Sequence, residues 1–323
     1  MTAMSTNARS ADTPAVLLVR PACFGYNPQT ASSNALQRHP EGPDTAVRAR
    51  AEFAALCAAL QAAGVRLYIA EDSTEPLKPD AVFPNNWVSW HEDGTVVLYP
   101  MCAPNRRAER QPQVMAAVEA HAGFRRRRLL DLTHHERAGR FLEGTGSLVL
   151  DPRQRLAYAC RSARTHEALL HEWATLMDYE PLVFDAHGPQ GRPLYHTNVM
   201  LAVGDRWAVV CAEAIAPADR ARVLDRLHGS GREVIEIDVA AMLVFAANIL
   251  EVTAVSDAAQ GGPVRRVLAM SASACAALGA DPGSWQRLRT AVDEVVAVPV
   301  PTIQSVGGGS VRCMLAQVPV VRP

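Results

Sequence analysis

Net charge is almost absent from this 323-residue chain, in which 32 Lys and Arg oppose 33 Asp and Glu for a formal −1. That balance gives no global attraction to phosphate backbones or anionic lipid, so neither nucleic acid nor a membrane is expected as a partner. Long hydrophobic runs are missing as well. The longest, 239–250, falls well short of the about 20 residues that cross a bilayer. The stretch 1–14 lacks the apolar centre of a secretory signal and reads as a flexible tail on a cytoplasmic protein, followed by one domain over 15–323.

Closely spaced cysteines are lacking. The seven present (Cys23, Cys57, Cys102, Cys160, Cys211, Cys275, Cys313) are odd in number and scattered, which excludes a zinc-ribbon framework and leaves free thiols. His134 with His135, and His166 with His171, lack the one-turn spacing of a zinc-binding helix, so no metal is expected. The glycines 307–309 are not followed by Lys-Ser or Lys-Thr, so no phosphate loop, nucleotide or other cofactor is expected. Arg125 to Arg128 form a basic run beside Asp131 that reads as a solvated strand edge.

What is present is an ordinary globular composition, 49% hydrophobic and 20% charged with mean hydropathy −0.01, and a repeated pattern. Residues 88–99 read as strand, Gly94 turn, strand, with a helix over 111–121 and a strand over 124–132. The unit recurs as a hairpin over 147–160 with a helix over 166–177 and a strand over 181–184, and again over 198–211, 217–229 and 233–238. A fourth copy opens at 248–255, passes a Gly-rich turn, resumes at 264–270 and ends at 295–300. The two chain ends supply a fifth: a strand over 310–318 joins a strand at 16–20, a helix over 44–63 stopped by Gly64, and a strand at 65–70. The hairpin openers Asn86, Ser147, Asn198, Asn248 and Ser310 recur at intervals of about 50 to 62 residues, long enough for a strand-strand-helix-strand module. Five modules in a ring bury one continuous core and bring the loop before each opening strand near the axis. Two conventional α/β domains are the other arrangement such alternation allows.

Six segments occur in a telling order: Pro79-Asp80-Ala81-Val82-Phe83-Pro84-Asn85-Asn86, Ala103-Pro104-Asn105-Arg106-Arg107, Leu142-Glu143-Gly144, Ser162-Ala163-Arg164-Thr165, His196-Thr197-Asn198, and the glycine run into Cys313. In this order the chain resembles the guanidino-modifying superfamily of arginine deiminases, dimethylarginine hydrolases and amidinotransferases, most closely its citrulline-utilization hydrolase branch. The resemblance covers 16–318. It implies the pentein fold, an α/β propeller of five modules with pseudo-fivefold symmetry in which the N- and C-terminal segments complete one module.

A guanidino or ureido carbon is a resonance-stabilised, poor electrophile that calls for a strong nucleophile, a proton relay and groups gripping planar nitrogens. Residue type alone does not choose among seven thiols. The resemblance selects Cys313 as nucleophile, His196 as proton carrier and Glu143 as the carboxylate that accepts from substrate nitrogen. It also assigns Asp80, Arg106 and Arg164 to the amino-acid end of the substrate, where an Arg fork suits an α-carboxylate. Asn85 and Asn86, and Asn198, complete the binding set.

Departures from the deiminase pattern carry the substrate argument. Arginine deiminases have aspartates where this chain has Asn86 and Asn198; here both are amides. An amide offers a donor and an acceptor to a neutral partner, whereas a carboxylate suits a cation. The replacement therefore favours the ureido head of citrulline, cleaved to ornithine, ammonia and carbon dioxide. Arginine deiminase, dimethylarginine hydrolase and a non-catalytic pentein binding protein are the alternatives, and no acceptor-amine pocket marks an amidinotransferase. A small-molecule amino acid is the expected partner, with a homo-oligomer left open.

Overall fold

The computed structural model describes residues 14–40, 42–255 and 263–321. The tail over 1–13 and the Gly-rich turn of the fourth unit lie outside the described residues. Fifteen strands are present: β1 (Ala15–Arg20), β2 (Leu67–Glu71), β3 (Val88–Trp90), β4 (Thr95–Leu98), β5 (Arg128–Asp131), β6 (Val149–Asp151), β7 (Leu156–Cys160), β8 (Glu180–Phe184), β9 (Leu201–Val203), β10 (Trp207–Val210), β11 (Glu233–Glu236), β12 (Leu250–Val255), β13 (Val264–Ser271), β14 (Glu294–Val298) and β15 (Ala316–Val318). They form five three-stranded sheets, ordered β15-β1-β2, β3-β4-β5, β6-β7-β8, β9-β10-β11 and β12-β13-β14. In every sheet the first two strands run antiparallel, as in Val88 opposite Leu98, and the third joins parallel after a helical crossover, as in Val97 opposite Leu130. The sheet of the chain ends obeys the same rule, with Ala15 opposite Val318 and Val16 opposite Leu67.

The period of two along each middle strand closes the ring. In β1, Leu17 packs with Val88 and Val96 of the next module, while Val16 and Leu18 pack with Val252 and Val267 of the last. In β4, Val97 turns the other way and joins Ala157 and Ala159. Tyr158 and Cys160 of β7 then meet Ala208 and Val210 of β10. Trp207 and Val209 meet Leu268 and Met270 of β13, whose Val267 and Ala269 return to β1. Five hydrophobic clusters, each shared by two neighbours, thus replace a single central core. Because both faces of a middle strand are covered, β7 is buried along its whole length.

Helices plug the outer edges. Thr45–Ala62 turns Phe53, Leu56 and Leu60 inward at helical spacing. Glu167–Met177 does the same with Leu169, Leu170, Trp173 and Met177. At the hairpin-turn end of the axis the opening strands surround a well lined by Pro14, Val149, Leu201, Leu250, Val318 and Val321 among others.

Two local expectations are corrected. The strand expected over 124–132 is only Arg128–Asp131, because its parallel partner β4 begins at Thr95, opposite Arg128. Residues 311–314 are not extended: Val311–Met314 is a helical turn in which the Cys313 N–H donates to Ser310 O at 2.9 Å. Arg164 sits in a turn before Glu167–Met177, its side chain drawn inward.

Such turns are themselves the repeat's device. One helical turn precedes four opening strands, at Pro84–Asn86, Gly144–Ser147, Thr197–Val199 and Val311–Met314. In the remaining module the Asn248 N–H closes on Phe245 O at 2.8 Å. The five openers Asn86, Ser147, Asn198, Asn248 and Ser310 are all polar and at most 2% exposed. Polar groups buried this deeply need partners. Those partners assemble the site.

Candidate active site

Glu143 ends the loop before the Gly144–Ser147 turn, and its carboxylate is fully buried. Oε1 accepts from the Cys102 N–H at 3.0 Å, and Oε2 accepts from His196 Nε2 at 2.9 Å. Arg164 Nη1 stands 3.4 Å and Arg106 Nη1 3.8 Å from Oε2. Burial alone raises this carboxyl, but the two guanidiniums and the imidazole hydrogen bond outweigh it and hold it well below the ordinary carboxylate range. Ser147 Oγ fixes the loop, accepting from the Glu143 N–H and donating to Arg164 O.

His196 is set by that carboxylate. Since an ionised carboxylate only accepts, Nε2 carries the proton and Nδ1 is left with a lone pair. Burial is the largest influence and pushes the imidazole down to about 4, with Glu143 pulling partly the other way. The ring is therefore neutral at neutral pH, a base with Nδ1 available. Gly146 lies against this nitrogen: a Cβ there would come 2.7 Å from His196 Nδ1 and 2.4 Å from Asn86 Nδ2. Only glycine lets these two groups and the turn share that space.

Cys313 is 3% exposed at the end of its own turn. Its Sγ lies 3.7 Å from Asn198 Nδ2 and 3.3 Å from Asn248 Nδ2. No hydrogen bond joins Sγ to the imidazole among the described residues, but both groups line one small cavity. Its walls include Phe83, Tyr195 and the three glycines 307–309. The Tyr195 hydroxyl donates to Gly308 O, and burial holds the phenol above its ordinary value. Gly308 has φ +62°, and a Cβ there would meet Asn34 Nδ2 at 2.5 Å. The glycine run thus packs beneath Phe83 and Asn34.

The expected substrate-end residues arrive at the same cavity with different commitments. Asp80 Oδ2 accepts from Asn27 Nδ2 (2.7 Å) and Thr30 Oγ1 (3.2 Å), while Oδ1 is buried without a hydrogen-bond partner among the described residues. Arg106 places Nε and Nη2 on the two oxygens of Glu109, both at 2.9 Å, and Nη1 on Asn86 Oδ1 at 2.9 Å. With Phe83 O as a further acceptor, this fork has one N–H left. Arg106 therefore positions Asn86 here and does not present a free fork to a carboxylate. Arg164 is held by Ser33 Oγ (3.0 and 2.8 Å) and Thr30 O (2.9 Å), both in the segment that covers the cavity.

Asn86 and Asn198 are both brought to the centre, the first lining the cavity and the second touching the sulfur. Asn85 is not among the lining residues. Its Nδ2 points to Thr145 Oγ1 at 3.3 Å, and its carbonyl crowds Gly144. Asn27, Thr30, Asn34, Tyr195 and Asn248 are site residues that the motif reading did not assign. Asn248 alone had left a signal, as the opener of the fourth module. Away from the cavity, His134, His135 and Glu172 offer metal-ligand atoms within 4.8 Å of one another. Two of the three are exposed, and His135 Nε2 already meets Glu172 Oε1 at 3.1 Å. No described helix is long and apolar enough to cross a membrane.

Comparison with known proteins bears on the fold and the family. A family model described as N,N dimethylarginine dimethylhydrolase, eukaryotic, matches residues 20–320. No curated protein matches. Among solved structures the chain is similar to ArgZ, an arginine dihydrolase from the ornithine-ammonia cycle in cyanobacteria, with 16% identity and a TM-score of 0.70 over 96% of this chain and 41% of that one. It is similar to AgrE at 18% identity and a TM-score of 0.69, over 96% of this chain and 40% of that one. DDAH from Pseudomonas aeruginosa, a mutant complexed with citrulline, gives 15% identity and a TM-score of 0.63 over 95% of this chain and 99% of that one. The chain spans about two fifths of the ArgZ and AgrE structures, and at these identities the likeness is one of fold.

Proposed function

The chain belongs to the N,N-dimethylarginine dimethylhydrolase family of the guanidino-modifying pentein superfamily, and from that premise we propose that it is a cysteine-dependent hydrolase converting citrulline to ornithine, ammonia and carbon dioxide. One observation carries the choice of substrate. Arg106 can only donate, so its bond to Asn86 Oδ1 fixes that amide with Nδ2 outward, and among the described residues this NH2 is buried without a partner beside the cavity. A guanidinium has no acceptor to offer it. A ureido carbonyl does.

In this reading the α-ammonium of citrulline meets the unpartnered Oδ1 of Asp80, and Arg164 exchanges its hydroxyl and carbonyl partners for the α-carboxylate. The thiol proton of Cys313 passes to His196 Nδ1 as sulfur attacks the ureido carbon. His196 then delivers that proton to the δ-nitrogen as its C–N bond breaks, and ornithine leaves a carbamoyl group on sulfur. Water, losing a proton to His196, attacks the same carbon. The S–C bond breaks, and the proton returns to sulfur. Carbamate departs and decomposes to ammonia and carbon dioxide. Glu143 keeps Nδ1 as the active nitrogen through both halves.

Incubating the purified protein separately with citrulline and with arginine, and identifying the amino-acid product, tests this. Ornithine from citrulline is expected. Citrulline from arginine moves the activity to a deiminase, dimethylamine from dimethylarginine to a dimethylarginine hydrolase, and ornithine from arginine to the dihydrolase activity named for ArgZ. No turnover of any of these overturns the enzymatic reading in favour of a binding protein.

A further inference from the structure

We propose that Asn248 is a further residue of the catalytic centre, donating a side-chain N–H to Cys313 so that, together with Asn198, two neutral amides stabilise the negative charge the sulfur gains as its proton passes to His196. The inference rests on Cys313 being the nucleophile.

Asn248 is fully buried. Its Nδ2 donates to Asn198 O at 2.9 Å and lies 3.3 Å from Sγ, while its Oδ1 lies 3.5 Å from Sγ. A backbone carbonyl only accepts, so the bond to Asn198 O fixes which end of the amide carries the nitrogen. Of the two N–H groups, one is taken by that carbonyl. The other faces the sulfur. Asn198 repeats the arrangement from the neighbouring module: its Nδ2 donates to Thr145 O at 3.1 Å and stands 3.7 Å from Sγ. Two openers of adjacent modules thus converge on a thiol supplied by a third.

The remaining polar groups around the thiol are engaged elsewhere. His196 is tied through Nε2 to Glu143, and the Tyr195 hydroxyl faces Gly308 O. Arg106 and Arg164 are bound by Glu109 and by the covering segment, and Asp80 is a carboxylate that would repel a thiolate. Arg312, next in sequence, donates to Leu315 O at 3.2 Å and adds a charge but no hydrogen bond to sulfur. Among the described residues only the two amides contact Sγ as donors. A desolvated thiolate without donors is costly, and an N–H donor offsets that cost without placing a cation where an uncharged substrate head must enter.

The experiment is the pH profile of iodoacetamide alkylation of Cys313 in the full chain and in Asn248→Ala and Asn248→Asp, with Cys313→Ser correcting for the other six thiols. In Asn248→Ala the rate at pH 7 is expected to fall about tenfold, with the midpoint of the profile moving upward by about one pH unit. Asn248→Asp, which keeps the shape and replaces the donor with a charge, is expected to move it further. Profiles of both variants that superpose on the parent's, with melting temperatures unchanged, overturn the proposal. If the alanine variant does not fold, the isosteric aspartate variant decides alone. The measurement uses no substrate, so absence of citrulline turnover leaves it valid, whereas full activity in Cys313→Ser defeats the functional reading itself.

Discussion

The two halves of the cavity solve opposite problems. Around His196 the site is ionic: Glu143 lies within 4 Å of the charged nitrogens of both Arg164 and Arg106, with Asp80 and Glu109 beside Arg106. Around Cys313 the hydrogen-bond donors are neutral, two amides in contact with the sulfur, and the neighbouring Arg312 adds a charge but no hydrogen bond. Buried charges persist only when paired and hydrogen-bonded, so the ionic half is rigid by necessity. It sets the tautomer and orientation of one base. The neutral half has no such network to satisfy and leaves room for a reacting group to gain and lose charge. Under the proposed mechanism the difference assigns general-base function to fixed ions and nucleophilicity to dipoles.

The largest test of that division is Cys313→Ser, expected to lower kcat at least about 1000-fold while the ionic half stays intact. Activity within tenfold of the parent, in a steady-state assay, removes the sulfur from the mechanism. Next is Gly146→Ala, which drives a methyl group between the halves, against His196 Nδ1 and Asn86 Nδ2. A misplacement of that size is expected to cost on the order of 100-fold in kcat with the fold retained. Unchanged kcat breaks the assignment of Nδ1 as the working nitrogen.

Asn86→Asp carries charge into the substrate contact. The ratio of kcat/KM for citrulline over arginine is expected to fall about tenfold or more, because the donor to a ureido carbonyl is lost and a carboxylate for a guanidinium is gained. A ratio that stays constant separates Asn86 from specificity. The smallest effect is read from pH. With His196 pushed down to about 4 by burial, its neutral, basic form persists as pH falls from 7 and is lost only as pH passes through about 4. The acid limb of kcat/KM is expected near that value in the parent. In Glu143→Gln it is expected lower still, since the carboxylate is what raises the ring's affinity for protons. An acid limb near 6.5 contradicts the buried, neutral imidazole.

Much of the ring was legible because period-two burial repeats with turn residues at matching places: Gly94, the turn at 151–154, Gly204. The openers Asn86 to Ser310 also marked the axis correctly. What was hidden is set by partners distant in sequence. The 310–314 segment has strand-forming residues, yet its backbone finds Asn248 O and its own Ser310 O instead of a ladder. Arg106 reads as a carboxylate fork until Glu109, three residues later, is seen to hold it. Asn27, Thr30 and Asn34 sit in a stretch without periodicity, so nothing local separates them from an ordinary loop. Asn85 and Asn86 are chemically identical in sequence; only the helical turn at Pro84–Asn86 sends one to the cavity and the other to Thr145.

One feature of the ring reaches further than the site. Because β15 is stitched to β1, the described ends at Pro14 and Val321 open into the same well. A circular permutant cut at the exposed turn of Glu92 and Asp93, with the old ends spliced by a flexible linker, is expected to build the same five sheets with the sulfur now in the interior of the polypeptide.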